Sequence, residues 1–435
     1  MARFTYDAVV VGAGPAGVSA ALTMARQGLK VIIIERGRFA GAKNLSGGTL
    51  YSHALLELLP DLWDREPPLE RPVTEHGFWF FSKGAMTRFT HRSEQLEGHP
   101  VSYTVLRARF DPWFAEQAVE TGALLIGKTT VTDFLRGGRG EIVGITTDRP
   151  QGDIYAPIVI VAEGVNNLLT QKLGLAKTDL LPEYVALGVK EVIGLPEEEI
   201  EKRFGLCGPE EGLAVQIFGD ANMGLPGASF LYTNRKSVSL GLAVILEDLV
   251  LHQLRPYELL ERFKSHRLMH PYLEGGKSLE YGAHLIPEWG YDHLPALAGN
   301  GVLVAGDAAG FVVSLQGGSN MAMISGKLAG EVAVEAHRQG DFSAEFLAQY
   351  RHRLEKGFIL QDLKKFRRLT DFLNENPRFV TIYTDFLNEA LGRYLAAPGV
   401  PMREVQRDII RALHERRSWP GVARDLLSFA RAMFL

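Results

Sequence analysis

The order of apolar and polar positions in the first 35 residues predicts a strand, a helix and a second strand. Residues 6–11 and 29–34 are short apolar runs, and residues 18–27 between them carry apolar side chains at helical spacing. Gly28 stands where the helix should end, a position that favours glycine. Two short strands separated by one helix are typical of a βαβ unit with parallel strands.

The turn between the first strand and the helix is rich in glycine, which favours a bound dinucleotide. Its sequence, GAGPAG, fits the pattern GxGxxG. The first glycine of that pattern allows a tight turn, the second lets a pyrophosphate approach the backbone, and the third lets the helix pack on the strand. Unpaired N–H groups at the helix N-terminus can bind the pyrophosphate. The candidate contacts are Gly12, Gly14, Pro15, Ala16 and Gly17.

An acidic residue ends the second strand. Glu35 stands 18 residues after Gly17 and is followed by Arg36. A carboxylate at this place accepts hydrogen bonds from the ribose hydroxyls of an adenosine, and it repels a 2′-phosphate. We therefore expect Glu35 and Arg36 to contact the cofactor, and the site disfavours NADP.

Two further apolar strands end in residues that favour FAD over NAD. The candidate residues at these strand ends are Glu163, Gly164, Gly306 and Asp307. An aspartate at a strand end can accept a hydrogen bond from a ribitol hydroxyl, and NAD has no ribitol. A helix predicted over residues 319–336 follows, and its N-terminus can stabilise negative charge on a reduced flavin. The opening of this helix adds Gly317, Gly318, Ser319 and Asn320. Because no histidine or cysteine lies near the first motif, we expect the FAD to be non-covalent.

The remaining apolar pattern predicts a second domain and a helical tail. Strands are predicted over residues 78–81, 86–89, 184–193, 213–218, 228–232 and 237–245. Residues 136–140, RGGRG, are typical of a hairpin turn. We predict a discontinuous FAD-binding domain over residues 1–75, 105–180 and 280–340, a sheet-rich substrate domain over 76–104 and 181–279, and a helical C-terminal region over 341–435.

Composition narrows the class of protein. The 435 residues exceed what one hydrophobic core usually supports, and 46% apolar with 23% charged residues is ordinary for a globular enzyme. A net charge of −4 does not favour nucleic acid. The one cysteine, Cys207, excludes an intrachain disulfide and any four-cysteine metal or iron–sulfur site, and it fits a reducing compartment. We expect no metal in the chain itself.

The chain resembles the FixC family, the flavoprotein subunits of the Fix or EtfABCX electron-transfer complexes. The stretches that carry the resemblance, besides the FAD motifs, are GAKNLSGG at 41–48, FLYTNRKSVSLGL at 230–242, EYGAHLIPEWGY at 280–291 and LKKFRRL at 363–369. The resemblance covers nearly the whole chain. It implies an α/β fold: a Rossmann-like FAD-binding domain of the aromatic-hydroxylase and geranylgeranyl-reductase type, a sheet-rich quinone domain and a helical C-terminal region.

The resemblance also implies roles for individual residues. Arg107 matches a position near the FAD pyrophosphate, and Val131 matches a backbone contact to adenine. Four residues after the second strand would lie beside the flavin: Lys43, Asn44, Gly47 and Gly48.

A quinone site is implied by the same comparison. Ser46 would donate to a quinone carbonyl, and the relatives place a Gly-Gly backbone against the quinone. Here that pair is Gly227-Ala228, so Ala228 departs from the pattern and adds a methyl group. No catalytic residue is assigned. His284 and Tyr281 are candidates for relaying protons, and structural roles are the alternative.

As the resemblance implies, such an enzyme passes electrons from an electron-transfer flavoprotein to a membrane quinone. Single-chain relatives carry a [4Fe–4S] cluster in a C-terminal ferredoxin domain, whereas residues 341–435 contain no cysteine. The expected partners are therefore a separate ferredoxin-like iron–sulfur subunit, an electron-transfer flavoprotein alpha/beta pair and a quinone. The resemblance implies that the iron–sulfur subunit docks on residues 341–435, which take the place of the lead-in to the fused ferredoxin domain. Electron bifurcation by the complex stays open.

A quinone dissolved in lipid implies peripheral attachment to the inner, cytoplasmic face of the cell membrane. Residues 401–435 carry seven arginines against four acidic residues, as basic interfacial helices do. Apolar residues recur there at helical spacing: Val422, Leu426, Phe429, Ala430 and Met433. Residues 78–81, FWFF, are a second candidate, and packing inside the protein is the alternative for both.

Two other functions are compatible with the motifs. One is an NAD(P)H-dependent FAD hydroxylase or polyprenyl reductase of the same fold. The other is a flavin-binding scaffold without catalysis. The chain has no second GxGxxG after a strand, which disfavours a separate nicotinamide domain.

Overall fold

The computed structural model describes residues 5–44, 48–92, 101–177, 181–313, 317–369, 372, 375–396 and 399–434. The Cα packing divides the chain into two discontinuous units. Unit 1 comprises Met1–Glu70, Val101–Val185 and Leu285–Arg367, and unit 2 comprises Arg71–Pro100, Ala186–His284 and Arg368–Leu435. The functional assignment of the predicted domains stays a prediction.

The strands of the described residues are numbered in chain order. They are β1 Ala8–Val11, β2 Val31–Ile34, β3 Gly48–Tyr51, β4 Leu69–Pro72, β5 Glu75–Phe81, β6 Met86–Arg92, β7 Ser102–Val105, β8 Leu124–Ile126, β9 Val131–Arg136, β10 Ile142–Thr147, β11 Ile154–Tyr155, β12 Val159–Val161, β13 Val185–Gly194, β14 Leu213–Gly219, β15 Gly227–Thr233, β16 Ser237–Ile245, β17 Lys277–Pro287, β18 Ala298–Gly299 and β19 Val302–Val304.

The helices are numbered in the same way. They are α1 Pro15–Arg26, α2 Ser52–Leu58, α3 Arg107–Glu120, α4 Leu168–Lys172, α5 Glu197–Phe204, α6 Leu246–Leu251, α7 Pro256–Ser265, α8 His270–Leu273, α9 Gly318–Gln339, α10 Ala344–Leu347, α11 Gln349–Lys356, α12 Phe358–Lys365, α13 Ile382–Leu395, α14 Met402–Arg416 and α15 Trp419–Phe434. Short 3-10 turns span Leu62–Arg65, Pro182–Tyr184, Asp220–Asn222, Tyr291–His293, Gly306–Ala309 and Pro377–Phe379.

Unit 1 is built on a six-stranded sheet of order β18-β19-β12-β1-β2-β8. Its strands are parallel except for β18, and Val9 pairs with Ile32 on one side and Val159 on the other. Strands β1 and β2 are buried at every position, because a parallel sheet has both faces covered. This burial explains why both strands are unbroken apolar runs in the sequence. The parallel pairing of β1 with β2 confirms the predicted βαβ unit. Two small sheets, β11-β10-β9 and β3-β7-β4, complete the strands of this unit.

Glycines let α1 and α9 approach each other closely. A methyl group at Gly326 would overlap the backbone of Ala16, and one at Gly330 would lie 2.8 Å from the Ala20 carbonyl oxygen. The contacts advance by four residues on both helices, so the helices run in the same direction. Helix–helix distance is set by the side chains at the contact, and here those side chains are absent or single methyl groups.

Unit 2 is built on a seven-stranded sheet of order β17-β13-β16-β15-β14-β5-β6. The predicted hairpin β5–β6 and the four predicted strands β13 to β16 are confirmed, whereas the pattern gave no sign of β17. Alternation along β5 buries Trp79 and Phe81 in the core and leaves Phe78 about half exposed. The predicted FWFF segment therefore has two side chains in the core and two, Phe78 and Phe80, on the opposite face of the sheet.

The C-terminal region is helical, as predicted. In unit 2 the side chain of Asp425 on α15 is fully buried. It accepts hydrogen bonds from Arg417 at 2.9 Å and from the Tyr383 hydroxyl at 2.7 Å, and Arg378 lies 2.9 Å away. Burial acts to raise the pKa of Asp425, but these donors prevail and hold it at about 2. Residue Asp425 thus fixes one side of α15, while Leu426 remains exposed.

We expect Gly326→Ala to destabilise unit 1, because its methyl group would push α9 away from α1. Overpacking of this kind costs about 1–3 kcal/mol. The matched control is Gly392→Ala in α13, where no atom lies within 4 Å of the added methyl group. That change should stabilise its exposed helix by about 0.5–1 kcal/mol. Thermal unfolding followed by circular dichroism measures both, and equal shifts in the two variants would contradict the close-contact argument.

Candidate functional site

The predicted cofactor residues meet at one edge of the six-stranded sheet. Strands β1, β2, β12 and β19 are mutually parallel neighbours, so their carboxyl ends share that edge. Gly12 follows β1, Glu35 follows β2, Glu163 lies two residues after β12, and Gly306 with Asp307 lies just after β19. Ligands of parallel α/β sheets bind outside the carboxyl ends of the strands.

The N-terminus of α1 faces open space. Gly14 caps the helix without any side-chain hydrogen bond, and no atom lies within 4 Å of the place a Cβ would occupy. Gly12 and Gly17 are glycines for another reason: a Cβ would overlap the Ala162 carbonyl at the first and the Gly12 carbonyl at the second. The first N–H groups of a helix lack partners within it, so this end suits an anion such as pyrophosphate.

Glu35 joins two loops at this edge. Its buried carboxylate accepts from the Ala13 N–H at 2.9 Å and from the Gly37 N–H at 2.5 Å, one bond to each oxygen. Each carboxylate oxygen has a second lone pair, so both oxygens can still accept from ribose hydroxyls. These two hydrogen bonds from backbone N–H groups were not predicted. The sequence motif does not show whether its terminal carboxylate binds only the ribose or also the protein backbone.

Two other predicted cofactor residues, Arg36 and Val131, lie in the same group of loops as Glu35. With its amide oxygen turned toward Arg36, Asn166 accepts from both terminal guanidinium nitrogens at 3.0 and 3.2 Å. The Thr129 N–H donates to the Glu35 carbonyl at 3.0 Å, which brings the buried start of β9, Val131, close to the end of β2. The adenosine-side residues of the prediction are therefore close together in unit 1.

The Glu163 side chain, at the end of the third parallel strand, binds the backbone of the following helix. Its carboxylate accepts from the N–H groups of Leu169 and Thr170 and from the Thr170 hydroxyl, at 2.8–2.9 Å. It therefore caps α4. Burial raises the pKa of Glu163, and the same hydrogen bonds oppose that rise. Gly164, with φ of +78° and open space on its Cβ side, leaves the backbone accessible.

Asp307 lies beside the opening of α9. A Cβ at Gly318 would stand 3.6 Å from the Asp307 carboxylate, and among the described residues no group donates a hydrogen bond to that carboxylate. Burial raises the pKa of Asp307, while the Arg107 cation opposes the rise. The Oδ1 atom of Asn320, on the first turn of α9, is buried and has no partner in the described part of the chain. Gly317, which precedes the helix, has φ of +71° and open space beside it.

An ion pair that the motifs did not predict lies beside the opening of α9, where the flavin ring is expected. This end of the candidate site is called the flavin side. Arg107 at the start of α3 makes two bonds to Asp111, at 2.5 and 2.8 Å, and its third nitrogen lies 3.3 Å from the Ser319 hydroxyl. Asp111 is buried and also accepts from the Asn44 amide at 2.8 Å. The i,i+4 spacing of Arg107 and Asp111 was the available signal. Lys43, next to Asn44, is exposed.

The remaining candidates lie on other elements or outside the described residues. Ser46 and Gly47 lie outside the described residues, and Gly48 begins β3 with open space on its Cβ side. Gly227 and Ala228 open β15 in unit 2. Gly227 has φ of +137°, and a Cβ there would overlap the Ala243 carbonyl, so the sheet alone requires this glycine. Tyr281 and His284 lie on β17.

The residues present at the sheet edge fit FAD. They offer an uncapped helix N-terminus over open space and a carboxylate with spare acceptor positions. Within the described part of the chain, they also offer a second carboxylate without a donor and a buried amide oxygen without a partner. Gly326 lies against Ala16, and Gly318 precedes it by eight residues on α9. Ala16 is the second residue of α1, so at 1.5 Å per residue α9 begins about 10 Å beyond the N-terminus of α1. This separation suits a cofactor whose pyrophosphate and ring are joined by a five-carbon ribitol.

Two negative findings concern metals and membrane spans. Within the residues that the structure describes, no group of three or more His, Cys, Asp or Glu side chains could hold a metal ion. Cys207 is a free, exposed thiol. Of the helices in the described ranges, none combines the length and apolar character needed to cross a bilayer.

We expect Glu35→Ala to weaken FAD binding by about 10- to 100-fold, since a charge-assisted hydrogen bond contributes about 1.5–3 kcal/mol. The matched control is Asp7→Ala. Asp7 also accepts a backbone N–H, that of Lys30 at 2.7 Å, but it precedes β1 at the opposite end of the strand. Titration of the FAD-free protein by flavin fluorescence gives both affinities. Equal affinities for the wild type and Glu35→Ala would contradict the ribose assignment.

Three family models match the chain. They are FAD dependent oxidoreductase over residues 7–170, ETF-QO, ubiquinone-binding over residues 185–286, and ETF-QO/FixC family C-terminal domain over residues 369–434.

Curated relatives align over almost the whole chain. Protein FixC of Azorhizobium caulinodans is 41% identical over 431 residues, covering 98% of each chain. A protein described as probable electron transfer flavoprotein-quinone oxidoreductase YdiS, from Escherichia coli, is 40% identical over 93% of this chain and 94% of its own length.

Solved structures share the fold. A geranylgeranyl bacteriochlorophyll reductase-like protein from Thermoplasma acidophilum superimposes with a TM-score of 0.72, at 20% identity, over 97% of this chain and 98% of its own. The flavin-dependent halogenase CmlS gives a TM-score of 0.64 at 20% identity, over 88% and 66% of the two chains. The fold class predicted from the sequence is confirmed.

Proposed function

Because the chain belongs to the ETF-QO/FixC family of FAD-dependent oxidoreductases, we propose that it passes electrons from an electron-transfer flavoprotein, through a separate ferredoxin-like subunit, to a membrane quinone. The observation that carries this proposal is the ubiquinone-binding match over residues 185–286. That range holds the strands β13 to β16 and almost all of β17. A ubiquinone-binding match and an FAD-dependent oxidoreductase match in one chain support electron transfer rather than hydroxylation.

The chain's own residues would bind and orient the cofactor. FAD, when bound, supplies one- and two-electron transfer. The open N-terminus of α1 would hold the pyrophosphate, and Glu35 would hold the ribose hydroxyls. Asp111 keeps the guanidinium of Arg107 in one orientation beside the opening of α9, while Asp307 presents acceptor oxygens for the ribitol. These roles are positioning and charge balance, and none requires acid–base chemistry.

A partner subunit would supply the iron–sulfur cluster. A [4Fe–4S] cluster needs four thiolates, and the sequence has one cysteine, Cys207. We therefore place the cluster on a small ferredoxin-like subunit, with an electron-transfer flavoprotein alpha/beta pair as the donor to it. The quinone would lie against the backbone at Gly227-Ala228. Ser46, the predicted donor, lies outside the described residues.

We expect the FAD-loaded chain alone to be inert to NADPH and, after reduction with stoichiometric dithionite, to be rapidly reoxidised by a short-chain ubiquinone. Absorbance of the flavin follows both reactions. Electron paramagnetic resonance of the reduced chain should show no iron–sulfur signal, whereas the complex purified with its partners should show one. Rapid reduction by NADPH with oxygen uptake on adding a phenol would indicate a hydroxylase. A flavin inert to both nicotinamide and quinone would indicate a scaffold.

Membrane attachment is proposed from two exposed apolar regions of unit 2. In α15, Leu426 and Leu427 are each 62% exposed. On the sheet, an aromatic patch is formed by Phe78, Phe80, Phe89 and Phe218, whose rings lie 5.8–6.5 Å apart in successive pairs.

We expect the FAD-loaded complex to float with vesicles that contain phosphatidylglycerol. The double variant Leu426→Ser/Leu427→Ser should lose most of this binding, because about 3 kcal/mol of apolar burial would be removed. Leu251→Ser is the control, since Leu251 is 69% exposed on α6. Loss of flotation in Phe78→Ser/Phe89→Ser alone would move the contact to the aromatic patch. A wild-type complex that does not float contradicts membrane attachment.

A further inference from the structure

The seven-stranded sheet of unit 2 has two faces of different character. On one face, Val189, Leu231 and Leu242 are buried in the core of the unit. Successive side chains of a strand point to opposite faces, so the residues between these core positions lie on the other face, which we call the second face. It carries Ala228, the residue that the proposed function places against the quinone.

Small residues surround Ala228 on the second face. Ala228 pairs with Ala243 of β16, and Ala243 pairs with Gly188 of β13. Ala228 and Ala243 are both only partly buried. Three neighbouring strands therefore form a row with no side chain larger than a methyl group, on which a flat ring can lie.

The next row along the same strands is polar and aromatic. In register it consists of Gln216, Phe230, Gly241 and Lys190. Alternate residues of a strand are about 7 Å apart on one face, so this row borders the row of small residues. The Phe230 ring lies over Gly241, where a Cβ would overlap it.

Lys190 is a buried lysine that lies beside two aromatic rings. The residue is 2% exposed. Its Nζ atom lies 5.5 Å from the centre of the Phe230 ring and 5.8 Å from that of Tyr232, and these two rings stack 5.1 Å apart. Aromatic faces attract a desolvated ammonium group. Because both rings belong to β15, the ammonium group of Lys190 is directed from β13 toward the strand that carries Ala228.

Gln216 places a second polar group on this row, on the other side of β15. Its Oε1 atom is buried and has no hydrogen-bond partner in the described part of the chain. A buried acceptor without a donor is costly, and a ligand hydroxyl would remove that cost. The amide also carries donors, so it can bind a quinone carbonyl as well as a quinol hydroxyl. Gln216 pairs on its other side with Phe78 of the aromatic patch, so the second face is continuous from exposed rings to the buried ammonium group.

We propose that Lys190 stabilises the negative charge that a quinone at Ala228 acquires with its first electron, and that Gln216 hydrogen-bonds a quinone oxygen. This inference rests on the proposed function and assigns two further residues to it. The quinone takes up two electrons from the reduced cofactor in single steps. The first electron makes the quinone an anion, and the second electron with two protons from water makes it a quinol. Lys190 acts through the field of its cation, which is strong where water is excluded.

The test measures quinone binding and electron transfer separately, with a short-chain ubiquinone. Calorimetric titration of the oxidised, FAD-loaded chain gives the affinity. Stopped-flow reoxidation of the dithionite-reduced chain at saturating quinone gives the limiting rate.

Lys190→Met should lower the limiting rate about 10- to 100-fold, because it removes a cation beside the developing charge. It should leave the affinity nearly unchanged, because the oxidised quinone is neutral. Lys190→Arg should restore most of the rate. Gln216→Leu should weaken the affinity about 3- to 10-fold, since a neutral hydrogen bond is lost. If Lys190→Met does not fold, Lys190→Gln provides the same loss of charge.

Two controls separate the quinone from the flavin and from the fold. Lys236→Met removes an exposed lysine from the turn between β15 and β16. It should leave both quantities within about twofold, because water and salt screen an exposed charge. Ferricyanide accepts single electrons without needing a quinone site, so it should reoxidise all of the reduced proteins at similar rates.

The outcomes distinguish this inference from the proposed function. A wild-type chain that ubiquinone does not reoxidise overturns the proposed function, and this inference with it. A wild type that is reoxidised while Lys190→Met reacts equally fast overturns the role of Lys190 only. Equal losses of rate with ubiquinone and ferricyanide, or no recovery in Lys190→Arg, would assign Lys190 to the flavin or to the fold and also overturn its role. An unchanged affinity in Gln216→Leu overturns the role of Gln216.

Discussion

The close contact between α1 and α9 is the constraint on which the candidate site depends. Two helices that touch at Gly326 and Gly330 cannot change their separation without opening a gap in the core of unit 1. Because the helices are parallel, their N-termini point toward the same edge of the sheet. The contact therefore fixes two positive helix ends and the distance between them with one packing interaction. The carboxyl ends of four parallel strands then supply the side chains between those ends.

The charged side chains on the flavin side balance one another within the protein. Arg107 is held by Asp111 on its own helix, and Asp307 stands close enough to influence it. The group therefore contains one cation and two carboxylates. A buried cation without partners would be costly, and so would two buried carboxylates without a cation. The pairing of Arg107 with Asp111 avoids both costs. Asp111 also holds Asn44, so one side chain links the loop after β2 to α3.

The parts of the fold that follow from local pattern were predictable from the sequence. Glycine spacing, buried apolar runs and a terminal acid predicted β1, α1 and β2, because each rests on neighbouring residues. The strand β17 was not predicted, because its half-exposed residues lack clear alternation and its pairing partner β13 lies about 90 residues earlier. The cap that Glu163 provides for α4 and the hold of Asp111 on Asn44 depend on contacts between distant segments. Motif spacing carries no information about such contacts. A quinone site also depends on contacts between distant segments, so the quinone assignments at Gly227 and Ala228 stay predictions.

The hydrogen bonds of Glu35 have a kinetic consequence. Its carboxylate accepts from the N–H groups of Ala13 and Gly37, so the loops that would bind the adenosine are held in place by the protein itself. The entropy of ordering those loops is lost when the chain folds, not when the cofactor binds. Encounter with the cofactor then needs no slow rearrangement on the adenosine side. Ordering of these two loops would then not be the step that limits the rate of cofactor binding.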